Sequence, residues 1–168
     1  MLIVIISDTH DNIPNITKVL NYCREHKIEK MIHCGDLATM ETLDYLNDNF
    51  QGEIFFAFGN MDQGHVAEYD FSENEYRGTK IFPEFGSKNF DNIRTAFVHY
   101  PDVARRLCET NKYDFVFYGH THKPWEEKVN ECRMLNPGNV ANQYYPPTFA
   151  TWNTTDNSFK LIRINDLK

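Results

Sequence analysis

Aspartate, asparagine and histidine recur along this chain in short motifs: Asp8-Thr9-His10, Gly35-Asp36, Gly59-Asn60, His99 and Gly119-His120-Thr121-His122. Seven of these side chains (Asp8, His10, Asp36, Asn60, His99, His120 and His122) offer an oxygen or nitrogen to a metal, and four of the chain's seven histidines are among them. One ion rarely takes so many protein ligands, whereas two ions sharing a bridging carboxylate do. Gly35, Gly59 and Gly119 each stand just before such a residue, as a tight turn around a bound group requires. Taken singly, each motif is equally a strand-to-helix turn with a capping residue. Their number and order point to a metal centre.

The elements that must position these groups follow from hydrophobic patterning. Met1–Ile6 is an unbroken apolar run rich in β-branched residues, the pattern of a strand buried on both faces. If the backbone stays extended, Asp8 and His10 leave it on the same side. Ile13, Ile16, Val19, Leu20 and Cys23 follow helical spacing to about His26, entered through Asn12 and Pro14. Lys30–Cys34 and Glu53–Phe58 read as strands around a helix marked by Met40, Leu43 and Leu46. Ile93–Val98 and Tyr113–Tyr118 read as strands around a helix over Pro101–Thr110. Such alternation over short links predicts right-handed crossovers and a parallel sheet. Five strands then end at the five motifs, and a common direction would gather all the donors on one edge of that sheet. Met61–Asn74 reads mostly as loop, and Pro83 interrupts a short strand within Thr79–Phe85. Beyond His122 the pattern predicts one strand over Trp125–Leu135, a turn at Asn136–Asn139, and a hairpin of Thr148–Trp152 with Ser158–Ile164.

A chain of 168 residues predicts one domain, residues 1–168, with 41% hydrophobic and 24% charged residues typical of globular proteins. No apolar segment approaches the ~20 residues that span a bilayer, and no basic residue precedes the N-terminal run. A cytoplasmic protein without membrane attachment is the expectation. The net charge of −7 argues against a broad nucleic-acid footprint and suits carboxylates neutralised by cations. Cys23, Cys34, Cys108 and Cys132 show no C-x-x-C spacing and are read as reduced, Cys34 as a small core side chain. His33 reads as a hydrogen-bonded core residue and His65 as an exposed loop histidine.

With these motifs in this order, the chain resembles the calcineurin-like metallophosphoesterases, specifically the small single-domain branch that contains bacterial and archaeal phosphodiesterases. The likeness runs on through Asn136-Pro137-Gly138 and Pro147-Thr148-Phe149-Ala150. It implies an α/β fold, a four-layer αββα sandwich with parallel strands, helices and antiparallel C-terminal strands. Carried over by motif, Asp8, His10 and His122 would hold one ion, Asn60, His99 and His120 a second, and Asp36 would bridge them. Carboxylate, amide and imidazole without thiolate suit manganese, iron, nickel or zinc better than calcium, and manganese is the expectation, with nickel, iron or zinc as alternatives.

The implied reaction is hydrolysis of a small phosphodiester, nucleotides included, by hydroxide held between two ions, with Asp36, Asn60 and His99 as catalytic residues. Three departures from the family pattern stand out. Met61 replaces the histidine that usually protonates the leaving group, Tyr100-Pro101 replaces a common glycine after His99, and Thr39 replaces a second aspartate. Phe85, Tyr100, Tyr144 and Tyr145 could form a base-stacking wall or simply be core and interface residues. The alternative is a non-catalytic protein-binding scaffold of the same fold with a residual metal site. A Rossmann-type nucleotide domain would need a G-x-G-x-x-G after the first strand, and there is none. Oligomeric state is left open.

Overall fold

The computed structural model describes residues 1–63, 66 and 74–167. Strand β1 (Leu2–Ile6) is buried on both sides, which explains its unbroken apolar run. Val4 and Ile6 face helices α1 (Ile13–Glu25) and α2 (Met40–Asn49), while Ile3 and Ile5 face a second sheet. Helix α1 begins where Asn12 Oδ1 accepts from the N–H of Asn15 at 3.1 Å, with Pro14 in its first turn.

The first sheet contains β2 (Lys30–His33), β3 (Glu53–Ala57), β4 (Glu75–Tyr76) and β5 (Thr79–Phe82) besides β1. Parallel pairing joins β1 to β2, β2 to β3 and β3 to β5. The second sheet is built from β6 (Phe85–Phe90), β7 (Ile93–Val98), β8 (Phe115–Phe117), β9 (Trp125–Val129) and β10 (Cys132–Asn136), in the order β6-β7-β8-β10-β9. Helix α3 (Pro101–Glu109) connects β7 to its parallel neighbour β8. The C-terminal hairpin of β11 (Thr148–Asn153) and β12 (Ser158–Arg163) returns to the first sheet, β11 pairing antiparallel with β1.

Three apolar interfaces separate four layers. Helices α1 and α2 cover the first sheet. Ile32, Phe55 and Trp152 meet Phe97 and Phe117 between the sheets, and Ala104 and Cys108 of α3 cover Val98 and Val116. Fully burying one such phenylalanine contributes about 1.5–3 kcal/mol, so the aromatic layer between the sheets is a main source of stability. The fold is the α/β sandwich that the resemblance implies. Among the described residues, no helix is long and apolar enough to cross a membrane.

Four expectations change. The five motif-bearing strands do not share one sheet: β1, β2 and β3 lie in the first and β7 and β8 in the second. Trp125–Leu135 is two strands, because Asn130 takes a left-handed φ of 54° and reverses the chain into a β9–β10 hairpin. Strand β6 begins two residues after Pro83 and pairs along β7, although Phe85–Phe90 lacks a strand-like apolar alternation. Finally, Cys108 and Cys132 form a disulfide across the contact of α3 with β10, their Cα atoms 5.3 Å apart. Only packing of helix on sheet reveals that pair, which is separated by 24 positions in sequence.

Candidate metal centre

Beyond β1 the chain coils rather than staying extended. Asp8 and His10 have φ of 52° and 40°, so the same-side argument from strand alternation does not hold. Asp36, His120 and His122 are also left-handed, at 55°, 68° and 59°. Such conformations cost of order 1 kcal/mol or more and survive only where surrounding contacts enforce them. Those contacts are visible: the N–H groups of Asp8 and Thr9 donate to Gly35 O and Asp36 O at 2.9 and 3.0 Å. From the other side, Val140 and Ala141 donate to Ser7 O and Asp8 O at 3.1 and 3.0 Å. Two motif glycines are needed for space. A Cβ on Gly59 would overlap the Asp36 carboxylate, and one on Gly119 would overlap Ser7 Oγ.

All seven donors meet at the facing ends of the two sheets, in two linked groups. In the first, Asp8 Oδ1 lies 3.2 Å from His122 Nε2 and 4.0 Å from His10 Nε2. In the second, His99 Nε2 lies 3.2 Å from Asn60 Oδ1 and 3.2 Å from His120 Nδ1. Asp36 touches both, its Oδ2 being 3.7 Å from His10 Nε2 and 3.4 Å from His99 Nε2. Ligands ~2.0–2.2 Å from one ion stand about 3–3.6 Å from one another, and most of these separations fall there.

The proton inventory of the cluster fits a cation. His99 Nδ1 is 2.8 Å from Cys34 O and His122 Nδ1 is 3.3 Å from Gln143 O. A carbonyl only accepts, so each Nδ1 carries the hydrogen and each Nε2 turns a lone pair towards a carboxylate. The outer oxygens of the carboxylates are already used: Asp8 Oδ2 accepts from the His120 N–H at 3.1 Å, and Asp36 Oδ1 from the Met61 N–H at 2.9 Å. Asp8 Oδ1 and His10 Nε2 are buried without a hydrogen-bond partner; the 3.2 Å approach of His122 to Asp8 is close but off hydrogen-bond direction. As neutral rings, His99 and His122 turn Nε2 lone pairs towards carboxylates, an arrangement that a divalent cation relieves, as protonation of the rings does.

The titration of these groups reports the same crowding. Burial pushes His99 down, but its hydrogen bond with Asp36 and the charges of Asp8 and Asp36 outweigh this and raise it. His122 is raised, chiefly by Asp8. Burial dominates at His10, which is lowered despite Asp36 and Asp8. Burial opposes the ionised form of Asp36, but the His99 hydrogen bond and charge prevail and lower its pKa.

Asp62 is the supporting residue that sequence reading undervalued. Fully buried, it accepts four backbone N–H groups: Asp36 at 2.8 Å and Gly59 at 2.7 Å on Oδ2, Leu37 at 2.9 Å and Ala38 at 3.0 Å on Oδ1. It thereby fastens the loop after β2 to the loop after β3, and burial raises its pKa to about 6. An acidic residue two positions past Asn60 is the only signal in the sequence. Asn136 plays the corresponding part in the second sheet, donating to Gly119 O at 2.8 Å and Thr121 Oγ1 at 3.1 Å.

Other expectations resolve individually. His33 is buried between the Thr9 hydroxyl and the Gly35 N–H, at 3.1 and 3.2 Å, and burial lowers its pKa to about 3. Cys34 packs in the inter-sheet core. The turn at Tyr100-Pro101 needs no glycine, because Tyr100 is extended, φ −86° and ψ 134°, and Pro101 opens α3. The Tyr100 ring rests 5.1 Å from both the His99 and the His120 rings, and Tyr144 stands 5.3 Å from the His122 ring. Phe85 and Tyr145 line separate clefts, so the four aromatics do not form one wall. Thr39 donates to Asp11 Oδ1 at 2.8 Å and serves that loop. His65 lies outside the described residues.

Residues 1–157 match the family model of the calcineurin-like phosphoesterase superfamily domain. The chain belongs to that family, whose members are metal-dependent phosphoesterases. A phosphodiesterase of Methanocaldococcus jannaschii is 31% identical over 140 residues, covering 82% of this chain and 83% of the relative. Among solved structures, an archaeal phosphodiesterase superposes with a TM-score of 0.83 at 29% identity, over 97% of this chain and 99% of that one. Vps29 of Entamoeba histolytica, solved with zinc, reaches 0.67 at 19% identity over 97% and 98%, a likeness of fold alone.

Proposed function

We propose that residues 1–168 act as one metallophosphoesterase domain that hydrolyses a phosphodiester at a dinuclear centre. The carrying observation is the convergence of Asp8 Oδ1, His10 Nε2, Asp36 Oδ2, His99 Nε2 and Asn60 Oδ1 on one space, in which Asp8 Oδ1 and His10 Nε2 are buried without a hydrogen-bond partner. Asp8, His10 and His122 hold the first ion, Asn60, His99 and His120 the second, and Asp36 bridges. When bound, two such cations supply an activated water and neutralise phosphoryl charge. The donor set of carboxylates, an amide and imidazoles suits manganese, nickel, iron or zinc, and manganese is the ion we propose.

The remaining work falls to the chain. Asn60 and His120 are exposed, so the substrate's phosphoryl oxygens reach the second position from solvent. His99, fully buried and held by Cys34 O, stays fixed during turnover. Met61 supports Asp36 through its N–H, and its exposed thioether has no proton to give to a leaving group. General-acid help is worth roughly 10²–10⁴-fold and matters most for basic leaving groups, so aryl diesters are favoured over alkyl monoesters. A histidine placed at position 61 could not be oriented by Asp62, because both oxygens of that carboxylate already accept backbone N–H groups.

The testing experiment combines metal analysis with a panel of aryl diesters, alkyl monoesters and cyclic nucleotides in manganese, nickel and zinc. The reading predicts two ions per chain and metal-dependent turnover of aryl diesters. Stoichiometry that never exceeds one ion sinks the dinuclear centre. Metal binding without turnover of any ester would favour the rival, a non-catalytic scaffold, for which the fold likeness to Vps29 is the support.

A further inference from the structure

A cleft of about 460 Å³ opens beside the candidate metal centre, between α3 and the turn from β5 to β6. Its floor is apolar: Phe58 from the end of β3, Val98 from the end of β7, and Val103 and Leu107 on one face of α3. Phe85 closes one side and remains 37% exposed, more than a core phenylalanine would be. Tyr100 forms another part of the wall and is the link to the chemistry, because its ring also packs 5.1 Å from both His99 and His120. A group lying along Tyr100 is therefore adjacent to the second set of donors.

The charges decide which part of a substrate belongs there. The floor has no cation to meet a phosphate, and the rim guanidinium of Arg106 is already paired with Asp102 at 2.9 Å. In the cleft on the other side of α3, Arg105 is likewise paired, with Glu127 at 2.9 Å, but Lys123 stands there over the Trp125 ring. Rings at two sides of an apolar floor suit a flat apolar group, since aromatic pairs gain from offset or edge-on contact beyond the area they bury. We propose that the cleft of Phe85 and Tyr100 is a subsite for a planar aromatic arm of the substrate, a reading that rests on the phosphodiesterase function above.

Two measurements test it. In the first, the metal-loaded protein hydrolyses 4-nitrophenyl phosphodiesters that share one leaving group and differ in the other arm, phenyl or methyl. Wild type should prefer the phenyl ester by about tenfold in kcat/KM, the value of burying a modest aromatic surface. Phe85→Ala and Leu107→Lys should bring the ratio close to one, and Leu161→Ala, on the exposed face of β12, should keep it. A wild-type ratio near one overturns the subsite and leaves the phosphodiesterase reading standing. In the second, methyl phenyl phosphate is titrated into metal-free protein and followed by methyl NMR. Shifts at Val98, Val103 and Leu107 that vanish in Phe85→Ala support the subsite even if no ester is hydrolysed, an outcome that would fell only the parent reading. Shifts at Met134 in the opposite cleft, or none at saturating probe, overturn it.

Discussion

The two halves of the candidate metal centre are built differently. The half formed by Asp8, His10 and His122 is closed: Asp8 is fully buried, His122 is 6% exposed, and backbone from three segments wraps them. The half formed by Asn60, His99 and His120 is open, with only His99 buried. Charge is distributed likewise. Asp8 pairs with His10 and His122 and also comes within reach of His99, Asp36 is shared, and the donors that belong to the open half are an amide and two imidazoles. A closed, carboxylate-bearing pocket should retain a cation, whereas an open, neutral one should exchange it and admit substrate.

The largest effect expected from this contrast is at the shared carboxylate. Asp36→Asn should lower turnover by more than the ~10–100-fold that loss of an outer-shell partner costs, and should weaken both ions. Near-normal turnover would remove Asp36 from its bridging role. The halves should then separate in calorimetric titrations with manganese. Asn60→Ala should abolish the weaker of two binding events, and Asp8→Ala the tighter. If both variants lose the same event, the two halves are one site.

Stability sharpens the comparison further. Asp62→Ala leaves four buried N–H groups without an acceptor and should cost at least about 3 kcal/mol, since each one left unsatisfied costs about 1–3 kcal/mol and local relaxation lets water reach some of them. A fall in denaturation midpoint accompanied by weaker binding in both halves is the expected result; unchanged metal affinity would show that the clamp is only structural. Reduction of Cys108–Cys132, which ties α3 to β10 behind the open half, should cost about 2 kcal/mol and leave the tight binding event intact.

An effect seen only on acidification is the pH slope contributed by His33, which braces the closed half from behind. Its folded pKa, about 3, lies below the ordinary 6.5, so the unfolded chain takes up the proton first. Its contribution is therefore complete above pH 6.5 and is lost as pH falls from 6.5 towards 3. The slope is at most about 1.4 kcal/mol per pH unit. Denaturation of metal-free wild type and His33→Gln at pH 4.5 to 7 should show the steeper acid loss in wild type. Parallel curves would mean that His33 is protonated in the folded state.

Legibility divided along similar lines. Helix α1 could be read from the spacing of Ile16, Val19, Leu20 and Cys23, and β1 from its apolar run, because periodicity and strand burial are local properties. Strand β6 could not, since Phe85–Phe90 becomes a strand by pairing with β7, a tertiary event. The same holds for Asn130, whose reversal of the chain depends on β9 and β10 finding each other.

By itself the sequence determined which donors are present and that each follows the end of a strand, since residue type and hydrophobic period are written locally. Tertiary structure decided that the donors arrive from two stacked sheets instead of one edge, and that left-handed turns, not strand alternation, aim Asp8 and His10. It also decided that Asp62 is a clamp rather than a free carboxylate, and that Cys108 meets Cys132. Each of these depends on which distant backbone comes within hydrogen-bond or van der Waals reach, and such short-range contacts exist only once the layers have packed.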